Sequence, residues 1–476
     1  MRRRTRTALA ATAGLTLLPG AALGQTSEQQ GAPATRETPT PGEAGTEAQG
    51  TGLWERSDLF GDMGGLRPAL GRFGISLGLT ETSEVLGNPT GGSKTGAVYE
   101  GTTEMSLAID LSKAVGLQGG LFNASAWQIH GRGLSTNNID NLMVVSSVEA
   151  DRATRLFELW YQQSFLGGKL DVRLGQLAAD QEFTLSQYAG LFINSSFGWP
   201  ALPAVDLPAG GPAYPFATPG VRLRALPNER TTLLFGVFNG NPAANANFPP
   251  SDPQLRNPSG ANLRFQGTFV IGEVQYAVNQ GEGAKGPPAT FKLGAWYNSN
   301  AFTNQFFATG GETAAVPGEI LLPSQFRRDW SVYAVVDQLV WRPPGAREGG
   351  VGVFLRAMGA PANRNQVVAF VDGGVALKGP FGRAGDSVGL GFGWTKISGV
   401  TIAGEQAQVA AGAQVPVQSA ETVVELTYQA QLTPWWVLQP DFQYIFNPGG
   451  GVLNPNGSGR VIGSAAVFGL RTVVTF

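Results

Sequence analysis

The chain has no cysteine, a single histidine, and charged side chains at only 14% of its 476 positions. Without cysteine there is no disulfide framework and no thiolate chemistry, and metal centres built on cysteine or paired histidines are excluded by count. His130 would have to serve any Ser-His-Asp hydrolase, yet no nucleophile motif accompanies it. A formal net charge of −2 leaves no basic surface for nucleic acid. Long apolar runs are missing as well: beyond residue 24 no window reaches the roughly 18 uninterrupted apolar residues of a membrane-spanning helix. So little charge would make a large soluble protein poorly soluble, whereas it suits a chain with a broad belt facing lipid. Such a chain, lacking a spanning helix, enters a membrane only as a closed barrel.

What is present begins with an export signal. Residues 1–24 carry Arg2, Arg3, Arg4 and Arg6, then an apolar core over 8–18, then the small-residue exit Ala22-Leu23-Gly24 of a cleaved secretory peptide. Residues 25–52 are Thr, Glu, Gly, Ala, Gln and Pro with almost no apolar side chain, and they are expected to form a flexible leader. Within 53–74, Leu66, Ala69, Leu70 and Phe73 recur at helical spacing with arginines opposite them. That spacing predicts a short periplasmic helix, a cap or brace at the periplasmic end of the barrel.

From residue 75 onward, stretches that alternate or are rich in β-branched and aromatic residues are bounded by Gly, Pro, Asn or Asp. They fall at 75–86, 98–111, 119–130, 154–164, 169–176, 219–226, 231–238, 266–278, 290–299, 330–342, 350–358, 367–378, 386–396, 420–431, 435–446 and 463–476. Taken in order, the connections alternate long and short, each even one shorter than its predecessor. This is the asymmetry of external loops and periplasmic turns. The expected fold is therefore all-β, a transmembrane antiparallel barrel of about 16 strands over 75–476, in a bacterial outer membrane.

Individual strands resolve into two faces. Thr103, Met105, Leu107, Ile109 and Leu111 oppose Glu104, Ser106, Ala108 and Asp110; Trp436, Leu438, Phe442, Tyr444 and Phe446 oppose Gln439, Asp441 and Gln443. In the last stretch Phe468, Leu470, Val474 and Phe476 share a face, while Arg471 lies on the other. A charge at the lipid-facing midplane costs about 2–4 kcal/mol, so the charged face is the lumen and Phe476 is an interfacial anchor. Sixteen strands leave a bore that wall side chains do not fill, so it holds water.

The residues resemble the carbohydrate-selective outer-membrane porins of the OprB type, from about residue 53 to 476. The resemblance is carried by Leu59-Phe60-Gly61-Asp62 with Gly64-Gly65-Leu66-Arg67, by Asn88 with Gly91-Gly92, and by Asp110, Lys113 and Gly119-Gly120. It continues through Arg155-Leu156-Phe157-Glu158-Leu159-Trp160-Tyr161-Gln162-Gln163, Leu174-Gly175-Gln176, Phe192-Ile193-Asn194-Ser195-Ser196-Phe197-Gly198 and Phe238-Asn239-Gly240. It closes with Gln439-Pro440-Asp441-Phe442-Gln443-Tyr444, Asn447-Pro448-Gly449-Gly450 and Gly469-Leu470-Arg471. Met63 and Leu117 depart from the pattern, standing where this family is expected to have Trp. The resemblance implies passive diffusion of mono- or oligosaccharides, no cofactor and no enzymatic activity. It also implies outer-membrane lipid around the barrel, insertion machinery that reads Phe476, and a monomer or homotrimer.

The longest connection, 177–218, is too rich in aromatics to stand free in water and is expected to fold into the bore. It supplies Tyr188 and Trp199, and its Asp180 and Glu182 form a weak candidate for a hard cation. Arg173, Arg222 and Arg224 lie in phase with the lumen on the flanking strands, with Glu104 and Glu158 on strands nearby. Guanidinium forks, carboxylates and aromatic faces are what successive sugar hydroxyls and C–H patches require, so these seven are the candidate pore-lining residues. Glu273, Arg356, Glu425 and Arg471 are lumenal by parity but far from the loop in sequence, and rank lower. His130 is expected at the lumen or rim, and Gly389, Gly391 and Gly393 are expected to leave room in the lumen or allow close strand packing. A general or anion-leaning porin, and from another class a barrel enzyme or envelope scaffold, remain as alternatives.

Overall fold

The structure is a computed structural model that describes residues 52–244, 252–280, 284, 286–308, 323–344, 349–457 and 459–476. The export signal and nearly all of the leader lie outside these residues. The predicted strands are all present: β1 (Ile75–Gly92), β2 (Gly96–Asp110), β3 (Gly120–Gly131), β4 (Ala153–Phe165), β5 (Leu170–Leu177), β6 (Thr218–Asn228), β7 (Thr231–Asn239) and β8 (Thr268–Val278). The second half comprises β9 (Ala289–Ala308), β10 (Pro323–Trp341), β11 (Gly350–Gly359), β12 (Val367–Lys378), β13 (Ser387–Ile397), β14 (Ala420–Thr433), β15 (Trp436–Phe446) and β16 (Gly463–Thr475). Each pairs antiparallel with its sequence neighbours, and β1 pairs with β16 to close the barrel. Closure leaves no edge, so every strand finds hydrogen-bond partners on both sides without water.

The long-short rhythm of the connections holds for most pairs and fails at two. Residues 93–95 join β1 to β2 while 111–119 join β2 to β3, and 360–366 is no longer than 379–386. At the first hairpin the strands outrun their predicted ends: Asn88 pairs with Gly96, and Gly92 with Gly463. Backbone read as loop is there paired ladder. Likewise β9 and β10 run far into the connection expected at 300–329, whose centre lies outside the described residues.

Burial follows period two along the wall. In β7, Leu233, Phe235 and Val237 are exposed on the outside, while Thr232, Leu234 and Phe238 are buried within. In β16, Phe468 and Leu470 face out and Arg471 faces in, as the alternation requires. Arg471 stands opposite Glu84 across the β1–β16 seam and donates its Nε–H to that carboxylate. Both side chains are at most 1% exposed, so the pair seals the seam with its charges inside.

One outward patch breaks the apolar rule. Since Trp127 and Ile129 of β3 are buried inside, His130, one residue from the strand's end, must point out and not into the lumen, the first of the two places expected from the sequence. Around it Glu81 accepts from Ser83 Oγ at 2.8 Å and from Thr103 Oγ1, and stands 3.3 Å from His130 Nε2. Gln128 Oε1 lies 2.9 Å from His130 Nδ1, and Tyr99 hydroxyl bridges Ser83 Oγ and His130 Nε2 at 3.0 and 3.1 Å. Each group finds its partner within the patch, which makes a polar cluster tolerable on this wall.

The seam pair gives a direct test. Arg471→Met leaves Glu84 buried without its cation and is expected to destabilise the barrel by about 3–5 kcal/mol, read as urea unfolding in lipid vesicles. Adding Glu84→Met should restore most of that loss; an unaffected single variant would mean the seam does not rest on this pair.

Candidate functional site

The third outer loop, residues 178–217, crosses the bore and is almost entirely buried. Its route is fixed by polar wall groups that meet its backbone. Thr184 N–H donates to Glu273 on β8 at 2.9 Å, Lys292 Nζ on β9 donates to Leu185 O at 2.8 Å, and Ser186 Oγ donates to Asp337 on β10 at 2.6 Å. On the far wall Glu425 of β14 accepts from Ile193 and Asn194 N–H at 2.5 and 3.0 Å, and Gln439 of β15 donates to Leu191 O at 2.8 Å. Arg356 of β11, held by Asp372, donates to Gly198 O at 2.8 Å, Ser196 O at 2.7 Å and Thr184 O at 3.1 Å. Among these anchors, Glu273, Glu425 and Arg356 are wall charges that distance along the sequence ranked low, whereas Lys292 and Asp337 were not singled out. Parity placed the first three in the lumen, but only the fold brings them onto the loop.

A second insertion was not anticipated. The loop over residues 132–152 also enters the bore: Glu421 of β14 accepts from Leu142 and Met143 N–H at 2.8 and 2.7 Å, and Gln443 of β15 donates to Val145 O at 2.9 Å. The two loops touch through Ser147 N–H to Ile193 O at 2.9 Å and Ser195 N–H to Val144 O at 2.9 Å. A signal was present in Leu142-Met143-Val144-Val145, an apolar run in a connection long enough to reach inward.

Glycine makes the space. A Cβ at Gly391 of β13 would sit 2.8 Å from Phe197 Cζ and 2.9 Å from Phe192 Cε1, one at Gly389 would sit 2.8 Å from Leu191 Cδ2, and one at Gly393 would sit 3.0 Å from Met143 Sδ. The alternating glycines of β13 thus form a lane into which both loops press, the lumen-room reading made from the sequence. Phe192 and Phe197 stack at 4.5 Å between centroids and meet Phe354 of β11, giving the loop an apolar footing beside its polar anchors.

At the root of the third loop the expected charges gather. Arg222 of β6 donates Nε–H to Glu182 and Nη1–H to Asp171, and its Nη2–H reaches Gln162 Oε1 at 3.0 Å. Arg224 donates to Asp171 at 2.7 Å. Arg173 of β5 bridges Glu182 at 2.7 Å and Gln162 Oε1 at 3.0 Å, with its guanidinium 3.9 Å from the Trp160 ring centroid. Glu158 accepts from Trp160 Nε1 at 3.1 Å and from Ala178 N–H at 3.1 Å. Burial opposes charging Glu182, but the Arg222 and Arg173 guanidiniums outweigh it and hold that carboxyl below the ordinary glutamate range. Arg173, Arg222 and Arg224 face Asp171, Glu158 and Glu182, so this cluster is balanced in charge.

The candidates therefore separate by depth. Arg173 and Arg224 keep part of their surface open, whereas Arg222 and Glu158 are buried behind them. Glu104 is half-buried on the inner face of β2, in register with Trp127, away from the arginine cluster. Tyr188 is half-buried against Gly352 of β11. Trp199 is 0% exposed and donates to Gly210 O at 3.0 Å, so it supports the loop from within and presents no face to water. Asp180 accepts from Tyr214 N–H at 3.0 Å and Glu182 is taken by arginines, so the two do not converge as cation ligands. Asp171 and Gln162 were overlooked, although the period that selected Arg173 also selects Asp171 two residues earlier.

The glycine lane supplies the test. Gly391→Leu is expected to push Phe192 and Phe197 off the wall, an overpacking cost of about 1–3 kcal/mol, and to raise single-channel conductance. Unchanged conductance would mean the loop does not define the constriction.

Known proteins share this architecture. The family model described as "Carbohydrate-selective porin, OprB family" matches residues 94–476. Porin B of Pseudomonas aeruginosa is 25% identical over 414 residues, covering 82% of this chain and 87% of that protein. Among solved structures, Pseudomonas putida OprB at high pH superposes with a TM-score of 0.76 at 23% identity, covering 89% of this chain and 99% of that one. The same protein at low pH gives 0.54 at 17% identity over the same shares. A closed barrel with its bore narrowed by two anchored loops, matched over most of its length by one family model, belongs to the carbohydrate-selective porin family of the OprB type.

Proposed function

We propose that sugars cross this channel past the root of the third loop, along the open edges of Arg173 and Arg224 beside Gln162, and meet Glu104 and Tyr188 at separate points of the bore. The chain is a passive outer-membrane channel of a carbohydrate-selective family, and not an enzyme. The observation that carries the path is the balanced cluster of Arg173, Arg222 and Arg224 with Asp171, Glu158 and Glu182. Donors and acceptors alternate there without a net field, which suits a neutral polyol and gives an anion no advantage. Arg222 and Glu158 act as positioning residues, holding Glu182 and the first turn of the loop. Elsewhere the inner wall buries more carboxylates, Glu84, Glu100, Glu273, Glu421, Glu425 and Asp441 among them, than cations, which are Arg155, Lys292, Arg356 and Arg471 among the described residues, and this argues against the anion-leaning alternative. Aromatic faces in the third loop are mostly buried, so a continuous apolar track for long oligosaccharides is not offered, and small sugars are the favoured cargo.

The polar patch around Glu81 and His130 is satisfied within itself, which lets a single barrel face lipid and favours the monomer over the homotrimer. Phe476 is the residue proposed to be read by the insertion machinery.

Swelling of liposomes holding the purified porin tests the cargo. Glucose is expected to enter several-fold faster than maltotriose and faster than gluconate, and Arg173→Ala with Arg224→Ala, which leaves the cluster net negative, is expected to slow glucose and to widen the preference for glucose over gluconate. Equal rates for all three solutes, or a double variant with unaltered preference, would contradict this path.

A further inference from the structure

Residues 53–73 run along the periplasmic rim, outside the bore, and their attachments fix which way they face. Leu59 N–H donates to Thr475 O at 2.9 Å, Trp435 Nε1–H donates to Leu53 O at 2.8 Å, and Arg67 bonds Asp58 at 2.6 Å, Gly61 O at 2.8 Å and the Phe476 oxygen. The polar groups of the segment are spent on the ends of β15 and β16. Its one helix, α1 (Leu66–Gly71), buries no residue fully: of the apolar stripe read from its spacing only Leu70 is half-buried, while Leu66, Ala69 and Phe73 stay exposed. Trp54 is 64% exposed, Phe60 51%, Leu66 46% and Phe73 64%. Large apolar side chains this exposed need a partner other than water.

Three ring contacts identify that partner. Trp436 and Phe476 belong to the outward parity of β15 and β16, shared with Leu438, Phe468 and Leu470, so they sit at the lower edge of the lipid-facing belt. Trp54 stacks on Trp435 at 6.3 Å, and Trp435 on Trp436 at 6.0 Å. Phe60 meets the Phe476 ring at 5.2 Å. The exposed rings of the segment are thus continuous with rings that face lipid. We infer that residues 53–73 lie in the headgroup boundary of the periplasmic leaflet and extend the aromatic girdle of the barrel under β15, β16 and β1. The segment braces the C-terminal strand on one side and inserts Trp54, Phe60, Leu66 and Phe73 into lipid on the other, as interfacial aromatic and aliphatic side chains do. It does not cap the pore.

This rests on the membrane orientation already described, and the experiment separates the two. Because the chain has no cysteine, Leu66→Cys and Phe73→Cys each provide a single labelling site for a polarity-sensitive fluorophore. Val85→Cys, on the outward face of β1, serves as the barrel control. The labelled porins are reconstituted in phosphatidylcholine and phosphatidylglycerol vesicles, folding is verified by heat-modifiable gel mobility, and quenching is compared for spin-labelled lipids and aqueous iodide. Leu66→Cys and Phe73→Cys are expected to emit at blue-shifted wavelengths and to be quenched several-fold more by headgroup-proximal lipid labels than by iodide. A water-like spectrum quenched mainly by iodide, with Val85→Cys still quenched by lipid, would overturn the inference and leave the barrel orientation intact. Failure at Val85→Cys would instead overturn the orientation on which it depends.

Discussion

The rest of the structure depends on where a charge is allowed to sit. Lipid around the wall confines nearly all of the charge carried by the strands to the lumen, and a buried lumenal carboxylate then needs donors. Backbone N–H groups of irregular loops need acceptors for the same reason. Glu273, Glu421 and Glu425 satisfy both demands at once by binding Thr184, Leu142 with Met143, and Ile193 with Asn194. The exclusion of charge from one face thereby supplies the fixtures that hold two loops inside the other. What remains open beside those loops is a narrow path edged by arginine and carboxylate.

Packing and polarity divide the labour at the constriction. Phe192 and Phe197 enter a lane cleared by Gly389 and Gly391, which fixes how closely the loop approaches β13. Its angle across the bore is set by Arg356, whose fork binds carbonyls at both ends of the crossing. Neither contribution suffices alone: an apolar footing permits sliding, and a carboxylate without its donor is costly to bury. The charge-balanced cluster at Arg173, Arg222 and Arg224 then presents hydrogen-bonding capacity without a strong field, which is the property a channel for neutral sugars requires.

Much of this was legible in the sequence because the strand period is two and the bilayer enforces it. Every strand, the closure of the barrel, the lumenal side of Arg471 and the inward fold of the third loop follow from alternation and loop composition. Parity, however, gives a side chain's face and not its neighbours. It placed Glu425 and Arg356 in the lumen without bringing them to Ile193 or Ser196, since those contacts span the bore and not the sequence. Trp199 was read as a sugar platform from its residue type, but enough loop packs around it to bury it fully. The second inserted loop escaped notice because its apolar run is short, and His130 was misplaced because a single polar residue near a strand end says little about which way it points. The short first hairpin shows the same limit: pairing with β16 extends β1 beyond its own alternating pattern.

Amide hydrogen exchange of the reconstituted porin tests the central claim most directly, that wall carboxylates hold both loops rigidly within the bore. Peptides covering residues 140–147 and 183–198 should exchange as slowly as the strands β13 and β14 against which they lie. Exchange of those peptides at the rate of freely solvated loops, with the strands protected, would contradict the account.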